Sequence, residues 1–211
     1  MNITIIGASA GVGLETVKRA LERNHFVTTL SRSAIQLPKN KNLNSIIGNA
    51  LNREDLKRSL ENADAVIVAL GTGKSMKATS LYSDFAKVLT EVSLKLSKDI
   101  PFIILTGFGA GKSGNYQPNF FMKMFFKLML KDVYADKTKM EEMIAKSNLN
   151  WEIVRPGLLK DQPLTEKYRV ETNLYKGIKI GSINRADVAD FMVKQAESPT
   201  YLKQYPALSN Q

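Results

Sequence analysis

An α/β fold built on a doubly wound parallel sheet is predicted for this chain of 211 residues, on three observations. A short β-branched run, Asn2 to Ile6, passes through the glycine turn Gly7-Ala-Ser-Ala-Gly-Val-Gly13 straight into helical spacing from Leu14 to Leu21. Strand and helix patterns then alternate through about residue 155. Ala63 to Leu70 is a continuous apolar run, the form of a central parallel strand buried on both faces.

The elements follow in order. After the first helix, Phe26 to Leu30 is the second strand and Asn44 to Ile47 the third. Asn52 is placed to cap a helix from Arg53 to Glu61, because a short side-chain oxygen there can accept the first free N–H groups. The apolar run ending at Gly71-Thr-Gly73 is the fourth strand. Thr79 to Lys98 reads as a long helix with Leu81, Phe85, Val88, Leu89, Val92 and Leu96 on its packed side. Pro101 to Gly107 is the fifth strand, and Phe108 to Pro118 a glycine-rich loop placed to act as a lid or to be idle. Tyr134 to Ser147 is helical, Asn150 to Arg155 is a strand, and Pro156-Gly157 breaks it. Two strand-like pieces, Tyr168 to Glu171 and Ile178 to Ile183, precede a last helix from Arg185 to Glu197, with Asn184 as its cap and Asp187 complementing its dipole. The whole is expected to be one domain, residues 1–211, with a substrate-side portion from about 156 onward.

The glycine turn carries the first chemical signal. In a strand-turn-helix unit, glycines permit the tight turn, the approach of a pyrophosphate and close helix–strand packing, while the helix N–H groups face the phosphates. Gly7, Gly11 and Gly13 fit G-x-x-x-G-x-G; with Ala10 as a small substitute, G-x-x-G-x-x-G stays open. The second strand ends in Ser31-Arg32, without the carboxylate that would repel a ribose 2′-phosphate and with an arginine able to fork onto one. NADP is therefore favoured over NAD. A surface arginine is the plainer alternative.

Composition narrows the classes. A 44% hydrophobic content indicates a globular chain, and no run approaches a membrane span. The start, Met1-Asn-Ile-Thr, has neither a basic leader nor a cleavable apolar segment, so a cytoplasmic location is expected. Without cysteine there is no thiolate chemistry, and with His25 alone there is no histidine-rich metal site; His25 is expected in a solvated loop. The net charge of +10 is spread along the chain without a nucleic-acid-binding signature, which suits a basic surface attracting phosphorylated ligands.

Asn119 to Lys131 is the least ordinary stretch. Lys123, Lys127 and Lys131 form one stripe on a helical segment otherwise made of Phe, Met and Leu. Core packing, an interface with a second copy or a protein partner, and an adaptable wall for a flat aromatic ligand are the readings open to it, with a membrane-surface helix a lesser one.

Lys137-Thr-Lys-Met-Glu141 followed by Trp151-Glu-Ile-Val-Arg-Pro-Gly157 resembles the atypical short-chain dehydrogenases, in which K-x-x-x-E leads to a strand ending in R-P-G. Asp161-Gln-Pro-Leu-Thr-Glu-Lys-Tyr168, Ala65 to Thr72 and Arg32 bring the chain close to the biliverdin-IXβ reductase or flavin reductase branch of the NAD(P)H-binding, NmrA-like family. That resemblance implies a Rossmann-type fold. It assigns Gly7, Ala8, Ser9, Ala10, Gly11, Val12 and Gly13 to the pyrophosphate, Ser31 and Arg32 to the 2′-phosphate, and Asn49 and Ala50 to the adenine edge. Leu70, Gly71, Thr72 and Lys74 go to the cofactor groove, Leu105, Thr106 and Gly107 to the nicotinamide floor, with Pro156 beside them, and Lys137 to the cofactor ribose. Three positions depart from the pattern: Gly107 replaces a serine, Gln36 a second basic contact and Leu158 a histidine.

A Ser-Tyr-Lys mechanism needs a tyrosine four residues before its lysine. Before Lys137 that residue is Val133, with Tyr134 one position off register, and the Tyr175/Lys179 match encloses Gly177. An NADPH-dependent reductase acting on a flat conjugated acceptor, a flavin such as FMN or a quinone, is the first expectation. Lys137 and Thr106 are its candidate catalytic residues. A non-catalytic NADP(H) sensor working through a protein partner is the second. A sugar-nucleotide epimerase activity is disfavoured by the missing Tyr-Lys pair and the absence of a larger C-terminal domain.

Overall fold

In this computed structural model residues 1–73, 80–94, 96, 98–116 and 130–211 are described. Their elements are β1 (Asn2–Ile6), α1 (Gly11–Glu22), β2 (Phe26–Ser31), β3 (Leu43–Ile47), α2 (Arg53–Leu60), β4 (Ala65–Val68), α3 (Leu81–Ser93), β5 (Pro101–Leu105), α4 (Lys131–Ala145), β6 (Asn150–Pro156), β7 (Leu158–Lys160), β8 (Tyr168–Glu171), β9 (Ser182–Asn184), α5 (Arg185–Glu197) and β10 (Ala207–Asn210). The main sheet runs β3-β2-β1-β4-β5-β6-β10-β8, and every pairing in it is parallel except β10 with β8. β7 and β9 form a separate parallel pair.

Period-two alternation sorts the strand residues onto two faces. Ile3 and Ile5 of β1, Ile67 of β4, Ile103 of β5 and Val154 of β6 pack against Val12 and Val17 of α1 and Val188 and Met192 of α5. Ile6, Val66, Val68 and Ile104 face Leu56 of α2, Phe85 and Leu89 of α3, and Met140 and Ile144 of α4. All four residues of β4 are fully buried, as a strand covered by helices on both sides requires. Strand order reverses between β1 and β4. Such a switch point, beyond the carboxyl ends of the strands, is the usual ligand position in sheets of this kind.

Local signals survive well. Asn52 Oδ1 accepts from the N–H groups of Glu54 and Asp55, both at 3.0 Å, and starts α2 as expected. Non-local partners change other expectations. The helix expected over 79–98 is Leu81–Ser93: Asp136 of α4 accepts from the N–H groups of Tyr82 and Ser83 at 2.8 and 3.2 Å and defines its start. At its other end the hydroxyls of Thr90 and Ser93 turn back onto helix carbonyls, which competes with continuation. Asn184 sits at the N-cap position of α5 without capping it; its Nδ2 donates to Asp187 Oδ2 at 2.8 Å. Asp187 is fully buried and accepts from Thr165 and Glu166 as well, so the Asp161 to Thr165 segment is pinned to the helix.

His25 is buried rather than solvated, because its Nε2 lies 2.6 Å from Glu197 Oε1 beneath Arg23. Pro156 closes β6 instead of preceding a break, and the chain resumes as β7; a Cβ at Gly157 would stand 2.0 Å from Gly181 O. Of the strand expected over 178–183 only Ser182–Asn184 is extended, while Ile178 and Ile180 join Phe108 and Ala207 in a small separate cluster. β10, unannounced in the sequence, is a four-residue strand paired on both sides. Gly111–Tyr116, within the glycine-rich loop, is a 3₁₀ helix. The Asn119 to Lys131 expectation lies outside the described residues up to position 129.

Glu152 on β6 is fully buried and has no charged partner among the described residues; the backbone of Tyr201 opposes its desolvation only in part. Burial pushes its pKa up to about 8, so the folded protein holds it neutral at lower pH. A carboxyl with a raised folded-state pKa contributes stability below its unfolded value and loses it as pH rises through the folded one. Glu152→Gln is therefore expected to melt above the wild type at pH about 9, with the gap closing toward pH about 5. Thermal unfolding across that range checks it.

Candidate active site

The candidate site starts at the glycine turn. Gly7 and Gly11 have φ of +86° and +56°, in the left-handed region that L side chains resist. A Cβ at Gly7 would lie 2.6 Å from Ala69 O, and one at Gly13 only 2.1 Å from Gly7 O. β1, β4 and α1 thus converge with no room for side chains. Ala10, in extended conformation, precedes α1 without a side-chain cap, leaving the first N–H groups of the helix available to an anion. Ala8 and Val12 are buried below the turn, Ser9 is half-buried, and Ala10 and Gly11 are exposed.

The remaining candidates line the same edge. Ser31 is buried, its hydroxyl donating to Ser33 O at 2.8 Å, and Arg32 beside it is exposed. Asn49 is braced by a bond from its N–H to Asp55 Oδ2 and one from the Leu51 N–H to its Oδ1; Ala50 is buried next to it. Leu70, Gly71 and Thr72 follow β4, and Thr72 is hydrogen-bonded to Tyr82. Lys74 lies outside the described residues. Leu105, Thr106 and Gly107 end β5, and Pro156 at the end of β6 accepts the Phe108 N–H at 2.8 Å.

Lys137, Glu141 and Tyr134 recur at one face of α4 and reach this edge. Lys137 Nζ donates to Thr106 O at 2.6 Å and faces the rings of Tyr134 and Tyr82, 5.0 and 5.3 Å from their centroids. Desolvation lowers its pKa to about 8, with Glu141 opposing. Glu141 accepts a hydrogen bond from the Thr106 hydroxyl at 2.7 Å and holds Arg155 of β6 through two hydrogen bonds of 3.1 and 2.6 Å. All three are buried, and the Arg155 guanidinium stacks 4.1 Å over Tyr205. The hydroxyl of Thr106 is thus committed to a tie between β5 and α4, which counts against its expected role as proton donor. Gly107, at φ +154°, has no side chain, and Tyr134 Oη occupies the space in front of it.

Tyr134, Tyr82 and Asp136 were not singled out from the sequence as site residues. The signal for the first was present: positions 134, 137 and 141 are spaced i, i+3, i+7 and share a helix face. Tyr82 and Asp136 meet only through the packing of α3 on α4.

Residues 7–199 match the family model described as NAD(P)H-binding, and the chain belongs to that family. Solved structures share its fold across its whole length. ChuY, an anaerobillin reductase from Escherichia coli O157:H7, is 22% identical with a TM-score of 0.79, covering 100% of this chain and 97% of that one. SP1627 from Streptococcus pneumoniae TIGR4, provisionally assigned as an NADH-flavin reductase, is 22% identical with a TM-score of 0.78 and full coverage of both chains, 100% and 100%. A wide-type short-chain dehydrogenase/reductase from Veillonella parvula in complex with NADP is 17% identical with a TM-score of 0.78, covering 99% and 94%. Among the described residues no helix is long and apolar enough to cross a membrane.

Removing one member of a buried ion pair strands the other. Glu141→Gln is expected to cost about 3–5 kcal/mol of folding stability, and Glu141→Gln combined with Arg155→Met to recover part of it. Urea unfolding of the three proteins measures both.

Proposed function

We propose that this protein is an NADPH-dependent reductase whose acceptor is flat and conjugated, a flavin or quinone. The observation that carries the reading is the continuous edge from the glycine cradle to the Tyr82/Lys137/Tyr134 cluster, with a cation at one end and aromatic rings at the other. The turn suits a pyrophosphate: Cβ atoms at Gly7 and Gly13 would meet backbone 2.6 and 2.1 Å away, so the chain packs tightly behind the turn, while one at Gly11 would meet only Arg185 Nε at 3.8 Å on its open side. Arg32 is exposed where a 2′-phosphate would lie, and its guanidinium offers two parallel donors. NADPH, when bound, supplies the hydride. Residues 7–13 would hold its pyrophosphate, Asn49 and Ala50 its adenine edge, and Leu70 to Thr72, Leu105 to Gly107 and Pro156 the nicotinamide side, with Lys137 at the ribose.

The protein's own part is position and exclusion of water. Lys137 is fixed by the Thr106 carbonyl and by two rings, so its ammonium meets a ligand in one place. Phe108, buried against Ile178 and Ile180, closes the far side of the strand ends. The names of ChuY and SP1627 support reduction of a conjugated molecule.

An anaerobic titration with NADPH and NADH, followed by FMN and then a quinone, tests the reading. Tight NADPH binding with loss of nicotinamide absorbance on adding an acceptor is expected. Binding without oxidation by any acceptor points instead to a redox sensor acting through a partner. Arg32→Ala is expected to weaken NADPH binding about tenfold, consistent with loss of a charge-assisted contact, and to leave NADH binding unchanged; fluorescence titration measures both.

A further inference from the structure

We propose that Tyr82 is a positioning residue for the cofactor groove, its phenol setting the place of Thr72 and its ring the place of Lys137. The inference rests on the cofactor-binding part of the reading above. Tyr82 stands in the first turn of α3, 2% exposed, and each part of it is engaged by a different element. Its N–H donates to Asp136 Oδ2 of α4 at 2.8 Å, and the next N–H, that of Ser83, donates to Asp136 Oδ1 at 3.2 Å. Its Oη is hydrogen-bonded to both the side chain and the backbone of Thr72, in the segment that leaves β4. Over its ring, 5.3 Å from the centroid, lies Lys137 Nζ, which donates to Thr106 O just past β5.

One buried side chain is thus the spacer between two groups assigned to the cofactor. Asp136 precedes Lys137 in the chain, so the carboxylate that fixes the amino end of α3 and the ammonium that faces the ring belong to the same turn of α4. No bond forms or breaks at Tyr82; its part is geometric. A Thr72 already held in place has less freedom to lose when a ligand arrives, and that loss is a cost of binding. Phenylalanine at position 82 would keep the ring beneath Lys137 and the backbone bonds to Asp136, and would release Thr72 alone. The strand order β3-β2-β1-β4 sets Thr72, after β4, apart from Arg32, after β2, by the width of β1. Releasing Thr72 therefore acts on what NADPH and NADH share and not on the 2′-phosphate.

Fluorescence titration of three variants, with no acceptor present, tests the assignment. Tyr82→Phe is expected to weaken NADPH and NADH alike, each about fivefold, the size of one net hydrogen bond, so that the preference between them stays as in the wild type. Thr72→Val is expected to weaken both as well. Tyr82→Phe combined with Thr72→Val is expected to lose clearly less than the product of the two single losses, because each hydroxyl acts through the other. Unchanged affinities in Tyr82→Phe, with only the thermal midpoint of the unliganded protein lowered, mean a purely structural tyrosine and overturn the assignment. A loss confined to NADPH overturns it too, since that effect belongs to the 2′-phosphate end. Losses that multiply in the double variant overturn the route through Thr72. A wild type that binds neither nucleotide overturns the cofactor reading and the positioning role together. One that binds both and passes hydride to no acceptor removes the reductase reading, while the titrations still decide the role of Tyr82.

Discussion

The buried pair of Glu141 and Arg155 is the interaction on which the ligand-facing edge depends. Two charges taken from water are costly unless every donor and acceptor is used. Here Arg155 forks onto Glu141 and stacks on Tyr205, while Glu141 also accepts a hydrogen bond from the Thr106 hydroxyl. The pair ties β5, β6 and α4 at one height. Gly111 passes so close that a Cβ there would stand 2.5 Å from Glu141 Oε2 and 2.7 Å from Arg155 Nη2, which explains its φ of +52° and its lack of a side chain. The 3₁₀ segment therefore closes over the pair. Because Lys137 and Tyr134 share the helix face of Glu141, fixing the carboxylate also fixes the ammonium and the phenol.

The two ends of this edge are built by different means. At the glycine turn, backbone atoms approach closely and the first helix N–H groups have no side-chain cap, with an exposed arginine at the end of β2. At the α4 end, the rings of Tyr82 and Tyr134 and a half-buried ammonium stand in place of backbone donors. The membership of the chain in the NAD(P)H-binding family follows from a match over residues 7–199, nearly its whole length.

What was legible in the sequence was what neighbours in the chain decide. The turn from Gly7 to Gly13, the apolar run of β4, the Asn52 cap and the limits of α5 each carry a signal within a few residues, although distant partners complete some of them, and each is found where expected. The start of α3 rests on Asp136, 54 residues away from Tyr82. His25 is buried because Glu197 is brought to it, and β10 is a strand because β6 and β8 flank it. No local pattern encodes such partners. Tyr134 illustrates a subtler loss: a rule requiring a tyrosine four residues before the lysine passes over one placed three before it, although both spacings share a helix face.

Asp136 has one more consequence, for the order of assembly. The first turn of α3 takes its hydrogen-bond acceptor from a helix that comes later in the chain, so the carboxylate is absent until α4 has docked. Closing a segment of that length carries an entropic cost before the contact returns anything. The amino end of α3 is therefore expected to form late in folding, while α2, whose cap is Asn52 beside it, can start from its own sequence.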